Sequence, residues 1–310
     1  FFFTQKPAYA MLRSLVGSEM CIRDRIETHN RAEFEIHGYS INPIEDEVTK
    51  KIAKSFDSFK NISNESDDLA NKKIREDNLD ILIDLMGYTT GSRMGILSKR
   101  AAPIQISYLA YPSTTGSNQI DYIIADKNII PQNEKSFYTE KVIYLPKTFI
   151  CFDDSTKIST TYQPNQFAKH NNNSFILVGF HKVEKLNLST INCWITIMSK
   201  IENSYLWLRK PNKIASKNLI DFFEAKNIDS SRIVFAEKVE LYEEHLARYN
   251  FGDLLLDTFI YNGHTTTIES LWAGLPVITL EGNSFASRVS SSILKSIGFE
   301  ALIAKTKDEY

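Results

Sequence analysis

From Phe175 to the end of the 310-residue chain, short apolar runs alternate with segments of helical period, and few folds satisfy that rhythm. "FILVGF", "YLWL", "RIVFA", "DLLLD" and "LPVITL" read as buried strands. Between them, "STINCWITIMSKI" places Ile191, Trp194, Ile195, Met198 and Ile201 at helical spacing. "SKNLIDFFEAKNI", "LYEEHLARYN", "TTTIESLWA" and "SFASRVSSSILKSIG" also read as helices, the last two stopped by Gly274 and Gly298. Strands alternating with helices at this pace require a parallel sheet covered on both faces. The first half carries the same signals less regularly. "FEIHGYSI", "DILIDLMGY", "IQISYLAYP", "DYIIAD" and "KVIYLP" are strand candidates; "EVTKKIAKSF", "DDLANKKIRED" and "RMGILSKRA" are helical. The polar, Asn-rich stretch at 155–174 reads as a linker. Two α/β domains in tandem are expected, at 26–160 and 174–310, with the cleft between them as a ligand site.

Residues 1–25 break the pattern. "SLVGSEMCIRDR" resembles translated adapter sequence, so this segment, with Cys21, is expected to be non-native and to stand outside the fold. No apolar run approaches the length of a membrane span. Thirty-six Lys and Arg against 38 Asp and Glu give a net charge of −2, which offers nothing to a nucleic acid at large. Cys21, Cys151 and Cys193 lack metal or disulfide spacing, and a reducing, cytoplasmic compartment follows as the expectation. The six histidines show no HxH or HExxH pairing and no DxD motif is present, so no metal is expected.

Ligands of parallel α/β sheets bind beyond the carboxyl ends of the strands. "DLLLD" feeds directly into "TFIYNGHTTT", so Gly263, His264, Thr265 and Thr266 fall where a helix start offers unpaired amides and partial positive charge. That suits a phosphate or diphosphate. Thr266 and Glu269 also have the spacing of a capping box, but capping leaves Gly263, His264 and Thr265 without a role, and anion binding is favoured. His245 and Arg248 share one helical face; spacing alone favours a solvated face over a nucleotide contact. Lys182 and Lys185 lie in a strand-to-helix loop where an ammonium would neutralise a leaving diphosphate. "DLMGYTTGSR", with Arg93, and "YLAYPSTTG" are Gly/Thr-rich turns at strand ends in the first half, and ordinary turns have the same composition.

Together, "DILIDLMGYTTGSRMGILSKRAAPIQISYLAYPSTTG", "FHKVEKLNLST", "EEHLARY", "DLLLDTFIYNGHTTTIESLWAGLPVIT" and "FASRVSSSIL" run in the order found in the O-linked N-acetylglucosamine transferase / SPINDLY family. The chain resembles that family over residues 26–310. The resemblance implies two Rossmann-like domains of glycosyltransferase B type, the first incomplete, and an inverting, metal-independent transfer. N-acetylglucosamine would pass from UDP-N-acetylglucosamine to Ser or Thr of proteins, the UDP-sugar being a co-substrate and no cofactor being needed. By the same resemblance Lys185 binds the diphosphate and supports its departure. His264, Thr265 and Thr266 cradle the phosphates; His245 and Arg248 lie around the uridine, with Glu269 at the ribose and Lys182 near the nucleotide. Arg93 and the turn at 111–116, with Tyr111, Thr114 and Gly116, lie on the sugar and acceptor side. The sequence departs from the family at Tyr242, where animal enzymes carry lysine, and at Lys182, Glu269, Ala110 and Ser113. A strand and a histidine-bearing loop before Ile26, closing helices after Tyr310, and upstream tetratricopeptide repeats are expected to be missing from this chain. Alternatives are a relative using GDP-fucose or UDP-glucose, a non-catalytic nucleotide-sugar-binding scaffold, and a Rossmann-type oxidoreductase. The last is disfavoured because no GxGxxG follows a strand.

Overall fold

The computed structural model describes residues 8–13, 25–44, 47–164 and 174–310. The chain divides into two compact units, Phe1–Asp154 and Ser155–Tyr310.

The first unit is built on a parallel sheet. Its strands are β1 (Ala8–Arg13), β2 (Glu35–Ser40), β3 (Ser58–Asn61), β4 (Ile81–Asp84), β5 (Ile104–Ser107), β6 (Tyr122–Ala125) and β7 (Lys141–Tyr144), in the order β3-β2-β1-β4-β5-β6-β7. Helices α1 (Glu47–Ala53), α2 (Asp67–Glu76) and α3 (Met94–Ser98) connect them. β1 corrects the expectation that residues 1–25 stand outside the fold and that a strand before Ile26 is missing. It sits between β2 and β4 and pairs in parallel with both. Two central strands facing each other across an open slot would leave a full set of backbone groups unpaired, and β1 satisfies them. Residues 14–24, including Cys21, lie outside the described residues. Tyr39, Ile62, Ile74, Leu82, Ile96 and Leu97 form the core against one sheet face.

The second unit matches the expected alternation closely. Its strands are β8 (Phe175–Gly179), β9 (Ser204–Arg209), β10 (Ile233–Ala236), β11 (Leu254–Leu256), β12 (Val277–Leu280) and β13 (Ile303–Ala304), all parallel, in the order β10-β9-β8-β11-β12-β13. The helices are α4 (Leu188–Lys200), α5 (Lys213–Glu224), α6 (Tyr242–Ala247), α7 (Thr265–Trp272) and α8 (Val289–Ser296). Asn187 starts α4 by accepting the Thr190 amide at 3.0 Å, and Ile191, Trp194, Ile195 and Met198 then face the core. Gly274, at φ +86°, ends α7 in the left-handed region that an L side chain resists. From β8 the chain winds outward through β9 and β10, then crosses back to β11 and winds the other way. The direction reverses between β8 and β11, and their carboxyl ends therefore open the crevice where doubly wound sheets bind ligands.

The boundary between units precedes the expected linker. Thr156 accepts the Trp272 indole N–H at 3.0 Å, the Ser159 amide donates to Glu243 O at 3.1 Å, and Tyr162 meets Phe251 edge to face. Residues 156–162 are thus bound to the second unit rather than free between the two, and the first unit ends before the expected 160. Residues 165–173 lie outside the described residues. No helix among the described residues is long and apolar enough to cross a membrane.

Candidate nucleotide-sugar site

At the β8/β11 switch point two loops meet. The first, after β8, carries His181, Lys182 and Lys185, with a short 3-10 turn at Val183–Lys185. The second, after β11, runs from Asp257 into α7. Lys185 Nζ donates to Asn262 O at 2.7 Å and stands 4.1 Å from the centre of the Tyr261 ring. Burial lowers the Lys185 ammonium to about 8, against the pull of Asp257 and with the push of Lys182. It is thus a cation held close to neutrality's edge, and an arriving anion would favour its charged form.

α7 begins without a side-chain cap. Its N-cap, His264, stacks on Tyr261 with ring centres 5.0 Å apart and makes no capping hydrogen bond. The first amides of the helix have no acceptor within it. Among the described residues the half-buried hydroxyls of Thr265 and Thr266 also have no hydrogen-bond partner, whereas Thr267 is fully buried and bonded to Ser290 at 2.7 Å. Burial and the nearby Lys185 push the His264 imidazole well below its ordinary value, a hydrogen bond with the Ala286 backbone acting against them. Its buried Nε2 is unpartnered. Lys185, held on Asn262 and near the neutral His264 ring, thus stands beside a helix start with bare amides and two free hydroxyls, and this arrangement can hold a diphosphate.

The capping box does not form. With α7 starting at Thr265, Glu269 lies two residues past the third helical position from which a side chain reaches back to the N-cap amide. Instead its buried carboxylate accepts from Tyr242 Oη at 2.9 Å, Tyr249 Oη at 3.1 Å and His245 Nε2 at 3.2 Å. His245 Nδ1 in turn accepts from Arg248, whose guanidinium also donates to Glu237 O at 2.9 Å and lies 5.0 Å from the Phe180 ring centre. His245 and Arg248 therefore do not lie on a solvated face; Arg248 is buried and both belong to a polar cluster anchored on Glu269. Lys182 is exposed beside Lys185.

In the first unit Arg93 donates to Ile62 O at 2.7 Å, Glu65 O at 2.6 Å and Asp67 Oδ1 at 2.9 Å, and so ties the loop after β3 to the start of α2. The turn at 111–116 is pinned by buried Glu140, which accepts from Thr114 Oγ1 at 2.6 Å, from the Thr115 amide at 2.6 Å and from the Thr115 hydroxyl. Gly116 takes φ +64°, and Tyr111 packs edge to face on Tyr88.

A model of glycosyl transferase family 41 matches residues 21–163 and 154–310. The chain belongs to glycosyl transferase family 41. Its curated relatives include a probable UDP-N-acetylglucosamine–peptide N-acetylglucosaminyltransferase SEC of Arabidopsis thaliana, 32% identical over 91% of this chain and 30% of that protein. A probable transferase of the same type, SPINDLY of Solanum lycopersicum, is 34% identical over 76% of this chain and 26% of its own length. The family 41 chain thus spans under a third of these relatives. Among solved structures, an O-GlcNAc transferase mutant of Thermobaculum terrenum superposes with a TM-score of 0.88 at 26% identity, over 99% of this chain and 58% of that one. A putative UDP-N-acetylglucosamine 2-epimerase of Listeria monocytogenes, at 13% identity and TM-score 0.54 over 99% of this chain and 90% of that one, shares the fold alone. The glycosyltransferase B architecture of two Rossmann-like domains is that of family 41.

Three buried residues of this family 41 site were not singled out from the sequence. Asp257 accepts the Thr258 amide at 2.8 Å, the Gly263 amide at 2.6 Å and the Thr279 hydroxyl at 2.6 Å. His181 donates from Nε2 to Leu256 O at 3.0 Å, and burial holds it at about 4, against Asp257 and with Lys185. Asn262 donates to Thr258 O at 2.8 Å and offers its own carbonyl to Lys185. The one available signal was position: Asp257 ends an apolar strand and His181 follows one.

Proposed function

We propose that this chain is catalytic-region sequence of a protein glycosyltransferase that moves N-acetylglucosamine from UDP-N-acetylglucosamine to Ser or Thr, with inversion and without a metal ion. The observation that carries the reading is the convergence, at the sheet's switch point, of the Lys185 loop and the uncapped start of α7. The names borne by the relatives supply the donor and the peptide acceptor. An acceptor hydroxyl attacks the anomeric carbon, the bond from that carbon to the diphosphate oxygen breaks, UDP leaves and the hydroxyl's proton passes to solvent. Negative charge then grows on the diphosphate, where Lys185, Thr265, Thr266 and the helix amides stabilise it. The His264 ring, stacked on Tyr261, lines the same wall. Glu269, its oxygens already engaged by Tyr242, His245 and Tyr249, orders the nucleoside side and shares its remaining acceptor capacity with the ribose. Arg248 and Lys182 complete that side, and Arg93 with the Tyr111–Gly116 turn serves the sugar and acceptor. The acceptor protein, a cytoplasmic setting and upstream tetratricopeptide repeats belong to this proposal for the whole protein.

Calorimetric titration of UDP and of GDP into the chain tests it, beside a Thr265→Ala/Thr266→Ala variant. UDP is expected to bind and the double variant to weaken it. A folded chain that ignores UDP overturns the reading, and a preference for GDP redirects it to fucose transfer.

A further inference from the structure

The peptide group between Asn262 and Gly263 has both of its ends occupied. Its carbonyl accepts from Lys185 Nζ at 2.7 Å, and its N–H donates to Asp257 Oδ1 at 2.6 Å. In a trans peptide these two groups point in opposite directions. One planar unit therefore stands between a buried carboxylate and a half-buried ammonium. Rotating it would take the acceptor from Lys185 and the donor from Asp257 together.

We propose that Asp257 is a positioning residue for Lys185, acting through the Asn262–Gly263 peptide to hold the ammonium at the mouth of the α7 helix start. The proposal rests on the nucleotide-sugar reading of the site. Asp257 itself is fully buried and cannot move independently. The Thr258 amide shares Oδ1 with Gly263, the Thr279 hydroxyl from β12 holds Oδ2, and the Asp257 carbonyl accepts from Tyr310 Oη at 3.0 Å. The Thr258 and Gly263 amides and the Thr279 hydroxyl all donate to the carboxylate, so both of its oxygens act as acceptors. An ionisable neighbour, His181, stands 3.8 Å away and gives its Nε2 proton to Leu256 O, and burial, which holds it at about 4, leaves it without positive charge. The peptide cannot readily be replaced in this position. A Cβ on Gly263 would overlap Thr267 Oγ1 and stand 3.1 Å from His181 Cε1 and 3.3 Å from Asp257 Oδ1. Lys185 is faced by Asp257 from β11, by His264 from α7, by the Tyr261 ring, and by His181 and Lys182 from its own loop. Of these, Asp257 alone bears negative charge.

Two substitutions separate charge from geometry. Asp257→Asn keeps an oxygen for the Gly263 amide and turns an amide N–H toward Thr279, but removes the charge. Asp257→Ala removes the acceptor as well. Thr279→Val deletes a hydrogen bond to the same carboxylate while leaving its charge and its grip on Gly263, and serves as the folding control. The first readout needs no ligand: the pH dependence of Lys185 acetylation, followed by peptide mass spectrometry in the 310-residue chain. In Asp257→Asn, Lys185 is expected to be acetylated faster at pH 7 and its profile to move to lower pH, while Thr279→Val keeps the wild-type profile. A profile unchanged in Asp257→Ala, which loses both the charge and the acceptor that holds the peptide, overturns the proposal. The second readout is UDP against uridine binding by calorimetry. Asp257→Ala is expected to weaken UDP about tenfold or more and to leave uridine within about twofold. Equal losses for both, or no loss in a folded variant, also overturn it. If the wild-type chain binds neither, the nucleotide reading fails, and the acetylation profile still decides the link between Asp257 and Lys185.

Discussion

Raising the pH from 7 to 9 is expected to weaken UDP binding about tenfold while sparing uridine. Burial brings Lys185 from 10.5 down to about 8, with Asp257 opposing and Lys182 assisting. The ammonium is therefore present below pH 8 and lost above it, a window in which an exposed lysine would not change. At pH 7 about nine-tenths of the group is charged and at pH 9 about one-tenth. If the diphosphate binds the charged form alone, affinity falls in that proportion, about 1.4 kcal/mol. Calorimetry at half-unit intervals gives the ratio of UDP to uridine affinity, and the shared base cancels its own ionisation. Lys185→Ala should give a low ratio with no slope. A wild-type ratio that stays flat from pH 7 to 9 would refute the reasoning, because either Lys185 does not meet the diphosphate or its burial does not lower it.

Gly263→Ala forces a methyl into Thr267 Oγ1, which Ser290 holds, and should cost about 1–3 kcal/mol in urea unfolding. A change below about 0.5 kcal/mol would show that the loop yields freely. Glu269→Leu strands the hydroxyls of Tyr242 and Tyr249 and the His245 N–H and should destabilise the chain by about 2–4 kcal/mol, more than Glu269→Gln, as chemical denaturation would record. Burial pushes the Glu281 carboxyl up, but hydrogen bonds from Lys295 and Lys305 outweigh it and hold it at about 2. Its stabilising contribution is thus complete above pH 4.5 and fades as pH falls toward 2. Melting curves of wild type and Glu281→Gln should differ at pH 6 and converge at pH 2.

The second unit was readable because its signals are physical necessities. A strand buried on both faces must be apolar throughout, and α4 shows its core face as Ile191, Trp194, Ile195 and Met198. β3 gave no such signal: Ser58–Asn61 is a short edge strand, half exposed and mostly polar. β1 was hidden by its unusual surroundings in the sequence, although the sheet around it requires a strand at that place. At the site, the Gly-His-Thr-Thr run pointed to the helix start, but the Thr266 and Glu269 spacing imitated a cap. Only the position of the first helical residue distinguishes the two, and a two-residue shift turns Glu269 from the N-cap toward Tyr242 and His245. Asp257 and His181 were passed over because a single buried polar residue beside an apolar run carries no spacing. Its partners come from strands and loops that are neighbours only after folding.

The stretch at 156–162 behaves as a brace rather than a tether, and this changes where the second unit can be separated. Trp272 closes α7, the helix whose first turn forms the cradle, and its indole is fastened to Thr156, while Tyr162 covers Phe251 just ahead of β11. A cut at 174, where composition alone would place it, would strip the far end of that helix and the approach to that strand together. The crevice at the opposite end of α7 would then rest on a scaffold missing its backing, whereas a cut before Ser155 carries the brace along.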